Sequence, residues 1–177
     1  DNLNDYYTQN EDADVGRVHP APAKKVVEIT TGNITTGYAS LAKAVEAAND
    51  GDKLNIMDNI DLGSDSITIK DKSITIDLNG KTITYTGSTI PSAINLTGSS
   101  YLIVTDTSEN GNGTIKATKS VINNRGSGVK ILGGTLKATD STYIGVIANN
   151  SQNTIEITGG SVYATSGTAI YNFMEGE

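Results

Sequence analysis

Acidic side chains are the first group in this 177-residue sequence that could do chemistry, because converging carboxylates bind calcium. The segment 106–113, DTSENGNG, is the densest group of oxygen ligands, and Asp106 and Glu109 are the metal candidates within it. A Gly/Asn-rich turn is the favoured interpretation of this segment, so we predict no cofactor and keep calcium as an alternative without support. Other aspartates lack the spacing of a calcium loop and are interpreted as solvated corner residues: Asp58, Asp61, Asp65, Asp71 and Asp77.

Amide and tyrosine side chains are the second group, because both suit the binding of sugars. Asn side chains can hydrogen-bond to sugar hydroxyls, and a tyrosine ring offers a flat apolar platform with a polar edge. Simple packing is the alternative role for the tyrosines, including Tyr163. The candidate ligand-binding residues are Asn95, Asn123, Arg125, Tyr143 and Tyr171.

The bulk composition excludes several classes of partner. A net charge of −7 and a pI near 4.6 argue against nucleic-acid binding. No apolar run approaches the roughly 20 residues that span a bilayer, so no membrane insertion is predicted. The chain has no cysteine, which excludes disulfides and thiolate metal sites. An acidic β protein rich in Thr, Asn and Gly is typical of secreted bacterial proteins, so we predict an extracellular or cell-surface location.

Three kinds of segment must position these side chains. Residues 1–25 lack a hydrophobic period and contain the proline pair of HPAPA, which predicts an N-terminal leader or linker. Residues 26–177 then form one domain. The segment 40–49 predicts its one helix, capped by Ser40 and ended by the Asn-Asp-Gly sequence that follows. Beyond it lie short strand-like pieces separated by Gly, Asn, Asp and Ser.

These pieces repeat, which is the most informative property of the sequence. One six-residue motif, which we call the phrase, occurs three times, as GTIKAT (113–118), GTLKAT (134–139) and GSVYAT (160–165). Each repeat holds three short strands, and a Gly or Asn corner precedes the phrase. A chain that returns to the same strand type in every turn predicts a parallel coil, whereas an immunoglobulin-like sandwich would show no such alignment. Four strings begin a comparable strand, at Ile94, Ile122, Ile147 and Ile170.

Alternation along the strands predicts which side chains stack inside the coils. The four isoleucines point inward, and two residues later Asn124, Asn149 and Asn172 point the same way. We interpret these asparagines as a structural ladder of buried amides, and an outward sugar-binding ladder is the alternative. Alignment on the Gly corners also places Ile76 in one column with Val129 and Ile155.

The pattern resembles the right-handed parallel β-helix of the pectate-lyase-like superfamily. The resemblance covers residues 26–177 and rests on SLAKAVEAANDGDKLNIMDNIDL (40–62) and on the repeated ITIDLNGKTIT, VKILGGTLKAT and IEITGGSVYAT corners. It implies an all-β, right-handed solenoid with three strands per coil and one short N-terminal capping helix. The superfamily contains polysaccharide lyases, polygalacturonases and bacterial surface proteins, so the fold leaves the function open.

The resemblance also implies where an enzyme of this type would hold its site, on the outer face of the Ile94-type strand and the corner before it. That strand offers no carboxylate for calcium, and a lone Arg125 is interpreted as a surface group rather than a base. The paired carboxylates and the histidine signature of the hydrolases are missing, and His19 lies in the leader.

We therefore predict a non-catalytic extracellular bacterial β-helix module, with an adhesive or glycan-binding role toward a polysaccharide or a cell-surface glycoprotein. The alternative is a polysaccharide-active lyase or glycoside hydrolase with its site in the variable corners at 88–92, 106–113 and 140–145. The final coil carries no obvious polar cap, and an open coil end exposes strand edges and core. We expect further chain or another subunit to cover this end.

Overall fold

The described part of the chain consists of residues 24–88, 92–142, 144–150 and 152–174 of a computed structural model, and it is mostly β-structure. Of the predicted leader, residues 1–23 lie outside this part. Two strands come first, β1 (Val27–Thr31) and β2 (Ile34–Tyr38), followed by the helix α1 (Leu41–Ala47). β1 and β2 form an antiparallel hairpin, which the repeats did not predict. No helix among the described residues has the length and apolarity to cross a membrane.

Fifteen further strands follow the helix as five sets of three. The first two sets are β3 (Lys53–Ile56), β4 (Ile60–Asp61), β5 (Ile67–Lys70), β6 (Ser73–Asp77), β7 (Thr82–Tyr85) and β8 (Ile94–Thr97). The next two are β9 (Tyr101–Thr105), β10 (Thr114–Ala117), β11 (Ile122–Arg125), β12 (Gly128–Ile131), β13 (Thr135–Ala138) and β14 (Ile147–Asn150). The last set is β15 (Thr154–Ile157), β16 (Ser161–Ala164) and β17 (Ile170–Phe173).

The strands of successive sets stack into three parallel sheets. Sheet A has the order β15-β12-β9-β6-β3-β1-β2, sheet B the order β16-β13-β10-β7-β4, and sheet C the order β17-β14-β11-β8-β5. Each strand beyond α1 pairs in parallel with its counterpart one coil away, and in the described part of the chain the antiparallel pairs are β1 with β2 and β1 with β3. The chain is therefore a parallel β-solenoid of about four turns, as the repeats predicted, and the sandwich alternative is wrong.

The helix closes the N-terminal end of the solenoid. The Ser40 hydroxyl accepts a hydrogen bond from the Lys43 N–H, and one face of α1 buries Leu41, Ala44 and Val45. Lys72 donates to the carbonyls of Val45 and Ala48, at 2.7 and 2.8 Å, and so occupies acceptors that the helix end leaves open. The backbone is already extended at Ala48, so the helix stops earlier than the predicted residue 49.

Inside the solenoid, side chains of the same type stack on one another in successive coils. Ile94, Ile122 and Ile147 are fully buried and lie in register on adjacent strands of sheet C. The three copies of the repeated phrase form β10, β13 and β16 of sheet B, where Ile115 pairs with Leu136 and Leu136 with Val162. These isoleucine and phrase columns confirm the predicted register. The column predicted for sheet A is wrong by two residues in one coil, because Ile76 aligns with Ile131 through Val104 rather than with Val129.

An amide ladder continues one of these columns along sheet C. The Asn124 side-chain amide donates to the Asn149 Oδ1 at 2.7 Å, and the Asn149 amide donates to the Asn172 Oδ1 at 2.9 Å. Asn124 and Asn149 are buried, and Leu96 occupies the next position of the column toward the N-terminus. Each coil thereby supplies the acceptor for the amide of the coil before it, which removes the cost of burying these polar groups.

The last coil leaves the core open. Ile157 and Ile170 are 42% and 37% exposed, whereas their counterparts one coil earlier, Ile131 and Ile147, are fully buried. One end of the solenoid is thus covered by a helix and a hairpin, and the other presents core side chains to solvent. Coverage of this end by further chain or another subunit remains a prediction.

Candidate ligand-binding face

The outer surface of sheet C gathers side chains suited to ligand binding. Since successive side chains of a strand point to opposite sides, the partners of the inward isoleucines and asparagines point outward. We call the outward set Asn123, Arg125, Tyr171 and Phe173 the outer C face. Its first two residues come from β11 and its last two from β17, with β14 between them.

The register of sheet C sets the spacing of this face. Asn123 aligns with Ala148, and Ala148 with Tyr171, so two strand spacings, about 10 Å, separate the backbone of Asn123 from that of Tyr171. Ala148 and Asn150 are the intervening outward residues, and both are buried. The Arg125 guanidinium reaches past them to lie 5.2 Å from the centre of the Phe173 ring, a distance at which a cation–π attraction acts. The face therefore carries a cation and two aromatic rings in one row.

Exposure separates the residues predicted to bind ligand. Arg125 is exposed, Asn123 is half-buried, and Tyr171 is 45% exposed. Asn95 lies in the same column as Asn123 but is buried, and its side-chain amide donates to the Ser92 carbonyl at 3.1 Å. Tyr143 lies outside the described residues. The structure therefore brings Asn123, Arg125 and Tyr171 together on one face, and it gives Asn95 a local structural contact.

Phe173 is the member of the face that sequence reasoning missed. It follows Tyr171 by two residues in the strand, so the same alternation that placed Tyr171 outside also places Phe173 there. Alternation would also place Ala93, Val121 and Val146, each directly before an inward isoleucine, on the outer side, but all three are fully buried. They precede their strands and lie in the corners, where the alternation of an extended strand no longer applies.

The metal candidates lie in the corner between sheets A and B, where the Asp106 carboxylate is surrounded by donors. It accepts hydrogen bonds from the N–H groups of Gly80, Ser108 and Gly113 and from the Ser108 hydroxyl. A carboxylate that faces several donors holds a loop together, whereas a calcium site needs several oxygens around one point. Glu109 is exposed, and the described residues contain no group of three acidic, His or Cys side chains that could hold a metal. The geometry assigns Asp106 to loop organisation.

These contacts shift the acid–base behaviour of two corner carboxyls. Burial raises the pKa of Asp106, but the hydrogen bonds from Ser108, Gly113 and Gly80 outweigh it and hold the pKa below its usual value. The pKa of Asp77 is lowered in the same way. Burial raises it, but the contacts with Lys53 and Thr107 have the larger effect and lower it. Both groups therefore favour the folded state while they are ionised.

Acid should destabilise the solenoid through these carboxyls. Groups with a lowered folded-state pKa contribute fully above the unfolded pKa of about 3.9, and the contribution is lost as the pH falls through the folded value. We expect the contribution of these two carboxyls to the free energy of unfolding to be constant down to about pH 4 and to decrease at lower pH. Asp106→Asn should lose about 1–2 kcal/mol at neutral pH and show a shallower acid decline. Denaturant unfolding at a series of pH values measures both, and an unchanged acid decline in the variant would contradict the assignment.

Catalytic groups are scarce on the face. No carboxylate lies at an outward position of the described strands of sheet C, so the pair of acids that a glycoside hydrolase uses is missing there. The arrangement of one guanidinium, amides and aromatic rings suits hydrogen bonding and stacking.

Comparison with protein-family models, with curated proteins and with solved structures finds no match to this chain.

Proposed function

We propose that this protein is a non-catalytic, extracellular bacterial β-helix module that binds a polysaccharide or the glycan of a surface glycoprotein on its outer C face. The observation that carries the proposal is the row of Asn123, Arg125, Tyr171 and Phe173 on one rigid parallel sheet. The acidic, cysteine-free composition supports a location outside the cell or at its surface.

The chemistry of the row fits a sugar chain. The Tyr171 ring offers an apolar surface for the carbon face of a sugar, and its hydroxyl can hydrogen-bond at the edge. Arg125 and Asn123 offer donors for hydroxyl or carboxylate oxygens. Because β11 is paired on both sides, Asn123 and Arg125 are held in place before the ligand arrives, which lowers the entropic cost of binding. Tyr171 lies on β17, which pairs with β14 on one side.

The proposal also covers the handedness of the coil and the superfamily to which the fold is related. Three parallel strands per coil, together with a helix at the N-terminal end, support a right-handed β-helix related to the pectate-lyase-like superfamily. Within such a fold the outer surface of one sheet is a natural place for a long polymer, since a flat sheet contacts several residues of the chain at once.

A glycan panel with the purified chain tests the proposal. Tyr171→Ala and Arg125→Ala should each weaken binding about three- to tenfold, since one stacking or cation–π contact contributes about 0.5–1.5 kcal/mol. Tyr163→Ala is the matched control, because Tyr163 is 43% exposed on the outer surface of sheet B, close to the 45% of Tyr171. Binding that both tyrosine variants weaken equally would place the ligand elsewhere.

Product analysis in the same experiment separates a binding module from an enzyme. Each glycan is incubated with the protein with and without calcium, and released oligosaccharides are measured. Unchanged polymer is the expected result. Shortened chains or unsaturated products would establish a polysaccharide-active enzyme instead, with its site in the corners.

A further inference from the structure

Three asparagines in the described part of the chain stand directly before a glycine: Asn79, Asn110 and Asn112. Asparagine in this position is especially prone to spontaneous deamidation, because glycine has no Cβ to hinder its backbone nitrogen. That nitrogen must lose its proton and approach the asparagine Cγ before it can attack. The fate of each pair therefore depends on what holds the glycine N–H and the asparagine side chain.

The Asp106 carboxylate holds two of the three glycine N–H groups. It accepts hydrogen bonds from the Gly80 N–H at 2.9 Å and from the Gly113 N–H. A hydrogen bond to a carboxylate is about twice as strong as one between neutral groups, and a negative charge beside an N–H opposes the removal of its proton. The carboxylate that organises the corner thereby also keeps both nitrogens from attacking.

The Asn79–Gly80 pair is restrained at the asparagine as well. The Asn79 side-chain amide donates to the Ile56 carbonyl at 3.2 Å, and the Asn79 backbone N–H donates to the Asp77 carboxylate at 3.1 Å. Asn79 is half-buried, and its φ of +46° is set by the corner. Several contacts would have to break together before the Gly80 nitrogen could reach the Asn79 Cγ.

The Asn110–Gly111 pair lacks these restraints. The Gly111 N–H donates to the neutral carbonyl of Ser108 at 3.2 Å, and residues 109–112 are all exposed. No described residue forms a hydrogen bond with the Asn110 side chain. Exposed backbone hydrogen bonds of this kind open locally at low cost in free energy. The Gly111 nitrogen can therefore reach the Asn110 Cγ without disturbing the rest of the corner.

We propose that Asn110 is a modification site, which deamidates spontaneously to aspartate and isoaspartate, and that Asp106 protects the other two pairs. The Gly111 nitrogen gives up its proton and bonds to the Asn110 Cγ, and the side-chain nitrogen leaves as ammonia. Water then opens the resulting succinimide. Attack on one carbonyl gives aspartate and attack on the other gives isoaspartate, so one water is consumed and one ammonia is released.

The modification changes the charge of the corner between sheets A and B. It places a new carboxylate next to the exposed Glu109 and adds one negative charge to a chain whose net charge is −7. The hydrogen bonds of Asp106 do not involve Asn110, so the ends of the corner stay in place. The modified protein keeps its solenoid and differs from the original at one exposed loop.

Peptide mapping of the full chain tests this proposal after prolonged incubation at mildly alkaline pH. Tandem mass spectrometry assigns each conversion of an amide to an acid to its residue, and chromatography separates aspartate from isoaspartate. Asn110 should convert at least about tenfold faster than Asn112, since a charge-assisted hydrogen bond must break before the Gly113 nitrogen can attack. Asn112 is the matched internal control, because it is also exposed and also precedes a glycine.

Asp106→Ala tests the source of the protection. Without the carboxylate, the rate of Asn112 should approach that of Asn110. An intact Asn110, equal rates at Asn110 and Asn112 in the folded protein, or an Asn112 rate that the folded variant leaves unchanged overturns the proposal.

Rates in denaturant cover a variant that fails to fold, which circular dichroism would reveal. In the unfolded, unaltered chain the hydrogen bonds of Asp106 are absent, so the difference between Asn110 and Asn112 should disappear. A difference that persists there would arise from the neighbouring sequence rather than from the Asp106 contacts, and it overturns the proposal as well.

Discussion

Ile122→Ala is expected to lower the free energy of unfolding by about 2–5 kcal/mol, the largest loss among the substitutions considered. Ile122 is fully buried between Ile94 and Ile147, its register partners in the neighbouring coils, and both are fully buried too. Removal of its outer carbons leaves a cavity that strands held on both sides cannot close. The loss therefore includes a cavity cost in addition to the lost transfer from water.

Ile170→Ala is the matched control for that substitution. Ile170 has the same side chain in the same column, but it is 37% exposed at the open end. We expect a loss of about 1 kcal/mol or less, because much of the removed surface is in water already. Denaturant unfolding of both variants under the same conditions measures the difference. Equal losses would show that burial in this column does not follow the coil order described above.

The second large effect is expected from Asn149→Leu. This substitution removes the acceptor of the buried Asn124 amide, and Leu cannot replace it. A buried donor without a partner costs about 1–3 kcal/mol, and we expect a loss in that range, near 2 kcal/mol. Size does not explain the loss, because Leu96 already fills a fully buried position of the same column. The measurement is again the free energy of unfolding in denaturant.

A double variant separates the unpaired amide from other causes. Asn124→Leu combined with Asn149→Leu removes the donor and the acceptor together. The loss of the double variant should therefore be about 1 kcal/mol smaller than the sum of the two single losses. Recovery is partial because the Gly126 N–H loses its acceptor, the Asn124 Oδ1, at 3.3 Å. Strict additivity of the two single losses would show that the ladder contributes no coupling between coils.

Repetition made most of this fold predictable from the sequence. The same strand sequence recurs in each coil. The recurrence of isoleucine therefore predicts which residues stack, namely Ile94, Ile122, Ile147 and Ile170. The failure in sheet A has a specific cause. Alignment on the Gly corners assumed a constant distance to the next strand, whereas residues 77–81 separate Ile76 from β7 and only residues 132–134 separate Ile131 from β13. A corner leaves no periodic signal, so its length could not be inferred.

The candidate site was less predictable for a related reason. Alternation correctly indicates on which side of a strand a residue such as Tyr171 or Phe173 lies. It does not report what covers that side, which decides whether the residue can meet a ligand. Asn95 shows the difference, because its amide binds the Ser92 carbonyl in the preceding corner and is buried with it. Coverage depends on contacts between distant or irregular segments, and neither composition nor spacing encodes these.

The corners between sheets A and B show how such a protein can change over evolution. One spans 106–113 and the next only 132–134, yet the strands on both sides keep the same register, with Thr114 opposite Thr135. An insertion in a corner therefore leaves every rung above and below it undisturbed, because the hydrogen bonds of the sheets, and not the length of the perimeter, set the alignment. New binding loops can be acquired and lost one rung at a time, while the stacked core stays under unchanged selection.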